Sequence, residues 1–566
     1  MSDQIFRKRL LIFICILGVG GILLIIQYAA VMLASPLQGS LAGQSMAVER
    51  GSITDRNGRL LALQTVAYSC SVWPPNLKNP AESARLLAPL LNQETTALSA
   101  RLEEAKGSII LKTGLPKIQA DPIRELINSG KLPGIYLEET VSRSYPEGAA
   151  AAQVIGFTGS DNEGMEGIEY VLDKELARHN NAMPDGRSYG NQVTLTLDMG
   201  IQHAMESLAD QALADHKPSG LMILVMDAPS AELLAYVVRP SYDPNQFRKS
   251  TAEQRRNLPI QYTYEPGSVF KIFSISSIMQ LGGITANTQF QTSGGYHNKR
   301  FRDPITDLSD YGTINSEGII KYSSNVGAAF ASDTVTELQF SDMIHAYGFG
   351  ERSGIELNGE EVGILKTPNE WSPRTKPTVA IGQEINVTAI QMITAATAIA
   401  NDGVLLKPHI IKRIASPNGE IVAEFGRQPA REILKPGVAR QMLEFMNAAT
   451  DDSGTGHRSR VQGINLSVKT GTAQSYDTTK GRYSDTDFIA SSLAIFPTEQ
   501  PRIIIYVVII KPRGESIYGG RIAAPLIKAG AEFIIPYLNI DRAGDLSYVQ
   551  GKQVTLTSPG LPAMQD

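Results

Sequence analysis

Cysteine is almost missing from this chain: there are two in 566 residues, and Cys15 sits inside an apolar run where Cys70 could not reach it. A disulfide scaffold is therefore excluded, and without a CxxC or a closely spaced histidine pair among seven scattered histidines there is no zinc-site pattern either. An excess of positive charge is also lacking. With 52 basic against 57 acidic residues the net charge is −5, and phosphate neutralisation needs a basic surface, so the balance argues against nucleic acid as a partner. No period of 20–50 residues recurs, which excludes a solenoid or propeller. What the chain does have is apolar content: 42% hydrophobic and only 19% charged residues can fill large cores. At ~150 residues per domain the length suggests three or four units, fewer if one is large.

The longest uncharged stretch is residues 10–34, LLIFICILGVGGILLIIQYAAVMLA, which is long enough to span a bilayer with some tilt. Arg7, Lys8 and Arg9 precede it, and a short basic flank tends to stay cytoplasmic. The expectation is a cytoplasmic tail at 1–9, a single transmembrane anchor at 10–34, and everything beyond outside the cytoplasm. A cleaved signal peptide fits less well, since its apolar region is usually ~7–15 residues and here Met32 occupies a small-residue position before Ala34. Leu41-Ala42-Gly43 could open a lipoprotein box, but Gln44 stands where the lipidated cysteine would have to be.

Past the anchor the chain reads as two units and a tail. From 35 to 190, strand-like runs at Leu60 to Val72 and Ser108 to Leu111 mix with helical patterns at 81–105 and 121–129, an irregular α+β unit. A Gly/Asn/Asp-rich stretch at 179–192 reads as a turn or linker. A second unit at 191–540 opens with an alternating strand at 193–197 and a helix capped near Asp198. Paired strands at 221–238 and 491–512, with a helical middle and a helix at 522–536, predict a mixed α/β domain whose sheet is closed by its own two ends. The polar residues 541–566 look like a tail.

Chemistry concentrates in the second unit. Ser268-Val269-Phe270-Lys271 is the only S-x-x-K, and Pro266 and Gly267 just before an apolar helical run put Ser268 in a first helical turn. At i and i+3 the hydroxyl and the amine share one face, and backbone N–H groups at a helix start favour an oxyanion. Burial among Val269, Phe270, Ile272 and Phe273 would lower the lysine pKa and leave an amine able to take the serine proton. Alone, an S-x-x-K is weak, since any long chain can carry one on a solvated helix face. Downstream, however, stand Ser323-Ser324-Asn325 and Lys469-Thr470-Gly471-Thr472, and in that order S-x-x-K, S-x-N and K-[ST]-G are the motifs of penicillin-recognising enzymes. Lys112-Thr113-Gly114 and Ser160-Asp161-Asn162 match two of the patterns but precede Ser268, and read as turn chemistry. Gly186-Arg187-Ser188-Tyr189-Gly190 imitates a nucleophile elbow, yet lies in the polar linker.

The resemblance extends well beyond three short motifs. Arg50-Gly51-Ser52-Ile53-Thr54-Asp55-Arg56-Asn57-Gly58, Arg143-Ser144-Tyr145-Pro146 with Gly148, Gly156 and Phe157, and Gly164, Gly167 and Glu169 match three N-terminal motifs of the class B, monofunctional penicillin-binding proteins. YEPGSVFK, SGIELNGE, AIGQEINVTAIQ and YGGRIAAP add to the match, which runs from about residue 46 to 530, and the YEPGS form without a large insertion is more similar to the cell-division branch.

That resemblance implies an α+β fold with an elongated, dimerisation-type pedestal at 35–190 and a transpeptidase domain built on a central antiparallel sheet flanked by helices. It implies an extracytoplasmic D,D-transpeptidase of the inner membrane that joins peptidoglycan stem peptides ending in D-Ala-D-Ala. Ser268 would attack, Lys271 would take its proton, and Ser323 and Asn325 would relay the proton and orient the peptide. Lys469, Thr470 and Thr472 would hold the terminal carboxylate, Gly471 completing that binding strand, with the N–H groups of Ser268 and Thr472 as the oxyanion hole. β-Lactams would acylate the same serine. No metal or organic cofactor is required, and a multipass glycan polymerase and other division proteins would be partners. Other readings are an elongation-type transpeptidase, a β-lactam sensor or hydrolase, which needs no pedestal motifs, and a silent division scaffold, which needs a lesion that these motifs do not have. The Arg, Asp and Glu of the pedestal motifs offer no nucleophile. Arg50, Asp55, Arg56, Arg143 and Glu169 are expected to gather into one structural network tying the start of the pedestal to the base of the catalytic domain.

Overall fold

The computed structural model describes residue 18 and residues 48–159, 161–177, 188–477 and 481–541. The anchor expected at 10–34, apart from residue 18, and the tail from 542 lie outside the described residues, as does most of the linker read at 179–192. Among the described residues no helix is long and apolar enough to cross a membrane.

The near-continuous apolar runs at both ends of the second unit become strands buried on both faces, because a strand with no polar side has no face to offer water. They form one five-stranded antiparallel sheet in the order Leu233–Arg239, Gly220–Asp227, Ile503–Ile510, Arg482–Phe496, Ser467–Asp477. Leu221, Ile223 and Val225 pack with Ile201, Met205, Ile527 and Ile534 of the helices Met199–His216 and Ala524–Tyr537. The alternate residues Met222, Leu224 and Met226 face the opposite core, shared with Phe270, Phe273, Ile390 and Ile393. Asp198 caps its helix as expected, accepting from the N–H groups of Gly200 and Ile201 at 2.9 and 3.2 Å.

The helix Lys271–Gln280 is buried through Met279, as an element apolar on every side must be. Its serines do not breach that rule. Ser274, Ser276 and Ser277 donate to the carbonyls of Ala380, Ile272 and Phe273 at 2.6–2.7 Å, so no hydroxyl is left to cost desolvation.

In the first unit the strand Leu60–Val72 pairs from Leu63 to Val72 with Ile135–Ser144 on one side, and from Tyr68 to Val72 with Ile109–Leu115 on the other. Helices Pro80–Leu91, Thr95–Glu104 and Lys117–Asn128 close over it, burying Leu87, Leu98, Leu102 and Ile123 against Tyr68, Cys70 and Val72. Cys70 is a free thiol that burial pushes up to about 12. Lys112-Thr113-Gly114 is not turn chemistry as expected: it lies inside the strand Ile109–Leu115, and the Lys112 ammonium donates to the Leu91 carbonyl at 2.6 Å, at the end of a helix. Of the elbow-like sequence, Ser188–Tyr189 is not linker but a short strand parallel to Val48–Glu49.

The two units are joined by hydrogen bonds as well as by chain. Gln192–Leu195 lies between Ile53–Thr54, parallel to it, and Ile411–Ala415, antiparallel to it, within a seven-stranded sheet that runs from Ile421–Glu424 to Ile109–Leu115. The charged motif residues form two clusters rather than the one expected. Arg50 donates to Glu169 and Asp173, each at 2.7 Å, and Arg143 reaches the other oxygen of Glu169 at 2.7 Å, with the Arg50 and Glu169 side chains fully buried. Asp55 and Arg56 serve a different place: Asp55 accepts from the Met199 N–H at 3.2 Å and Arg56 pairs with Glu232 at 3.1 Å, both across to the second unit. The division follows from the chain itself, since the strand Ile53–Thr54 lies between Arg50 and Asp55, and Asp55 and Arg56 stand beyond it in a turn closed by the Gly58 N–H on the Asp55 carbonyl at 3.1 Å.

Candidate active site

Ser268 sits in a single 3₁₀ turn, Gly267–Phe270, that runs straight into the buried helix. The tighter turn keeps the i, i+3 relation, and Lys271 Nζ lies 2.9 Å from Ser268 Oγ. The same nitrogen is 2.7 Å from the Ser323 carbonyl, 2.7 Å from Asn325 Oδ1 and 3.4 Å from Ser323 Oγ. Two of these partners can only accept. A neutral amine would satisfy the carbonyl and the amide oxygen with its two N–H bonds, leaving its lone pair for the Ser268 hydroxyl.

Ser323-Ser324-Asn325 turns into the helix Asn325–Ser332, with Ser324 as its cap accepting from the Gly327 N–H at 2.9 Å. Ser323 has φ +61°, a left-handed conformation uncommon for a serine, and presents both carbonyl and hydroxyl to the two lysines. Lys469 Nζ donates to Ser323 Oγ at 2.9 Å and to the Thr470 carbonyl at 2.8 Å. The structure thus brings together the five residues Ser268, Lys271, Ser323, Asn325 and Lys469.

Lys469 to Thr472 lie on the strand Ser467–Asp477, where alternation sends Lys469 inward and Thr470 and Thr472 to the other side. Thr472 Oγ1 accepts from the Gly519 N–H at 3.0 Å, which joins this strand to the YGG segment. Gly471 owes its place to close approach: a Cβ there would meet the Val269 side chain at 2.9 Å and the Val269 nitrogen at 3.1 Å, so only a glycine lets the strand lie against the nucleophile turn.

Electrostatics lower both amines below the ordinary lysine value. Burial lowers Lys271 to about 7, with the nearby Asp307 carboxylate acting in the opposite direction. Burial pushes Lys469 well below its ordinary value, and the charge of Lys271 adds to that. Two ammonium groups around one hydroxyl repel, so the site disfavours the doubly charged state.

Asp307 carries no motif and was not expected. Its carboxylate accepts from Ser324 Oγ at 2.6 Å, from the Asn325 N–H and from the Val326 N–H at 3.1 Å, fastening the S-x-N turn to the 303–311 loop. Gly382 was also missed: its carbonyl accepts from the Gly267 N–H at 2.9 Å, and at φ +84° a Cβ would stand 2.1 Å from the Gly267 oxygen. The available signal was only the G-Q-E turn inside AIGQEINVTAIQ.

Residues 221–531 match the penicillin-binding protein transpeptidase domain and residues 45–190 the penicillin-binding protein dimerisation domain. PenA of Neisseria meningitidis is 30% identical over 506 residues, covering 86% of this chain and 84% of that protein. Peptidoglycan D,D-transpeptidase FtsI of Escherichia coli is 28% identical over 524 residues, covering 89% and 86%. Stage V sporulation protein D of Bacillus subtilis is 29% identical over 556 residues, covering 93% and 85%. Among solved structures, penicillin-binding protein 3 of Mycobacterium tuberculosis, in complex with aztreonam, superposes with a TM-score of 0.70 at 25% identity, covering 88% of this chain and 98% of the other.

Proposed function

The chain belongs to the class B penicillin-binding proteins, and from that premise we propose that it cross-links peptidoglycan at the division septum through an acyl-enzyme on Ser268. It is a serine-type peptidoglycan D,D-transpeptidase. The observation that carries the residue assignment is the 2.9 Å approach of Lys271 Nζ to Ser268 Oγ, with both purely accepting partners of the lysine already in place.

Lys271 takes the Ser268 proton as Oγ adds to the penultimate D-Ala carbonyl. The nascent oxyanion is met by the N–H of Ser268 and that of Thr472, and the approach of the Gly267 turn to the Thr472 carbonyl, within 3.4 Å of a Cβ at Gly267, supports their convergence. Collapse breaks the C–N bond, and Ser323, whose hydroxyl lies between Lys271 and Lys469, passes a proton to the leaving D-Ala amine. The donor's terminal carboxylate lies at the edge of the strand Ser467–Asp477 against the Thr470 and Thr472 hydroxyls, and Lys469, on the strand's inner side, meets it through charge, which draws a proton onto the buried lysine. Asn325 holds Lys271 through Oδ1 and is itself held by the Thr306 carbonyl at 3.2 Å. An amine of a second stem peptide then takes the acyl group, its proton leaving by the same relay. A β-lactam, the class of the aztreonam complexed with the structural neighbour, would acylate Ser268 but keep its leaving group tethered.

Location and partners follow the sequence. The uncharged run 10–34 behind Arg7, Lys8 and Arg9 supports a single inner-membrane anchor with the catalytic domain outside. The two matched regions are a transpeptidase and a dimerisation domain, and a transpeptidase joins glycan strands that a polymerase beside it would supply. The YEPGS form supports the septal role over an elongation-type one. The test is covalent labelling by a fluorescent penicillin together with cross-linking of D-Ala-D-Ala stem peptides, wild type against Ser268→Ala. Both activities should vanish in the variant, and labelling that survives would move the nucleophile elsewhere.

A further inference from the structure

Glu265, three residues before the nucleophile, is used by none of the steps above. Its Oε1 accepts from the Glu384 N–H at 3.0 Å and from the Tyr483 hydroxyl at 3.1 Å. Its Oε2 is buried and has no hydrogen-bond partner among the described residues. Burial raises this carboxyl to about 7, the Glu384 N–H and the Tyr483 hydroxyl opposing and the Glu384 charge reinforcing the rise. Such a site is costly for a carboxyl, so what it retains is the accepting oxygen.

That oxygen ties together three elements. Glu265 belongs to the segment leading into the Ser268 turn, which is already fixed to Gly382 by the Gly267 N–H. Glu384 belongs to the turn after Gly382, and its own carboxylate is occupied by Thr375 and Thr378 at 2.8 and 2.7 Å. Tyr483 belongs to the far end of the hairpin made by Ser467–Asp477 and Arg482–Phe496, where it pairs across with Tyr476, ring centroids 5.4 Å apart. The strand that carries Lys469 to Thr472 runs on to Asp477 and so reaches the part of the hairpin that Tyr483 holds, across one irregularity in the pairing, where Gln474 lies opposite Phe488 and Tyr476 opposite Tyr483.

We propose that Glu265 is a positioning residue for acylation: one carboxyl oxygen clamps the distal hairpin, through Tyr483, to the segment carrying Ser268, and so fixes the distance between nucleophile and carboxylate-binding strand. The inference rests on the acyl-transfer reading above. Without the clamp the hairpin would be free to tilt about the Gly471 contact with Val269, and small errors in placing reacting groups are expensive in rate.

The experiment measures the rate of acylation of the full-length chain by a fluorescent penicillin, with melting temperature recorded alongside. Glu265→Ala should slow acylation about tenfold and Tyr483→Phe several-fold, the scale of one lost hydrogen bond. The double variant should be no slower than Glu265→Ala, because both remove the same clamp. Glu265→Gln, which keeps an accepting oxygen, should restore most of the rate. If Glu265→Ala fails to fold, Tyr483→Phe decides, since it removes only a donor. A wild-type rate in Tyr483→Phe, or effects of the two variants that multiply, would overturn the clamp. Loss of all labelling in the wild type would instead strike the acyl-transfer reading, with Ser268→Ala as the blank.

Discussion

Lys469 donates to the Ser323 hydroxyl at 2.9 Å across 146 residues of sequence, so the second and third motifs share one hydrogen-bonded proton. Ser323→Ala should therefore disturb both lysines at once. Acylation is expected to fall by ~10²–10³, within the range of a lost acid–base partner, with the melting temperature nearly unchanged. Stopped-flow labelling would show it, and a loss below threefold would remove Ser323 from the relay.

Acylation should depend on pH through Lys271, whose buried amine sits at about 7. The base is the neutral form, so the rate should drop tenfold per pH unit below about 7 and level off above it. The low-pH limb should vanish from what remains in Lys271→Ala. A flat profile between pH 5 and 8 would mean another group accepts the proton.

Thr470→Val preserves shape and removes a hydroxyl beside the predicted carboxylate position. Penicillin acylation should weaken by roughly ten- to a hundredfold, as for a hydrogen bond to a charged group of about 1.5–3 kcal/mol. Reaction of Ser268 with a small acylating agent that carries no carboxylate should be unchanged. Equal losses with both reagents would place Thr470 in the activation machinery.

Arg50→Ala leaves Arg143 as the one cation on buried Glu169 and takes the cation from Asp173, which keeps the Gly164 N–H at 2.8 Å. Breaking such a buried pair costs ~3–5 kcal/mol, so the full chain should melt at a lower temperature while its folded fraction still acylates at the wild-type rate. Unchanged melting with lost acylation would reverse the division of labour between the units.

The three motifs were legible because each is local, and because their order along the chain separates them from decoys such as Lys112-Thr113-Gly114. What the pattern could not reveal was that decoy's setting: a strand residue in both places, yet one lysine reaches a helix end and the other a serine. The strands within 221–238 and 491–512 were legible from near-continuous apolar runs, and Asp198 from its capping chemistry. Asp307, Gly382 and Tyr483 were not, since each acts through a contact with a residue distant in sequence, and an isolated acid, glycine or tyrosine carries no periodic signal. A gathering of the charged motif residues was expected, but its division into Arg50, Arg143 and Glu169 on one side and Asp55 and Arg56 on the other depended on where the strand Ile53–Thr54 pairs, which only the fold determines.

The central place of Gln192–Leu195 in the seven-stranded sheet bears on the order in which the protein can be built. Ile53–Thr54 emerges first, its neighbour follows about 140 residues later, and Ile411–Ala415, on the far side, only after some 220 more. Until then one edge of that strand stands open, as an unpaired row of N–H and C=O groups. The N-terminal unit therefore cannot close its sheet as it leaves the ribosome, and its last hydrogen bonds wait on most of the enzyme it supports.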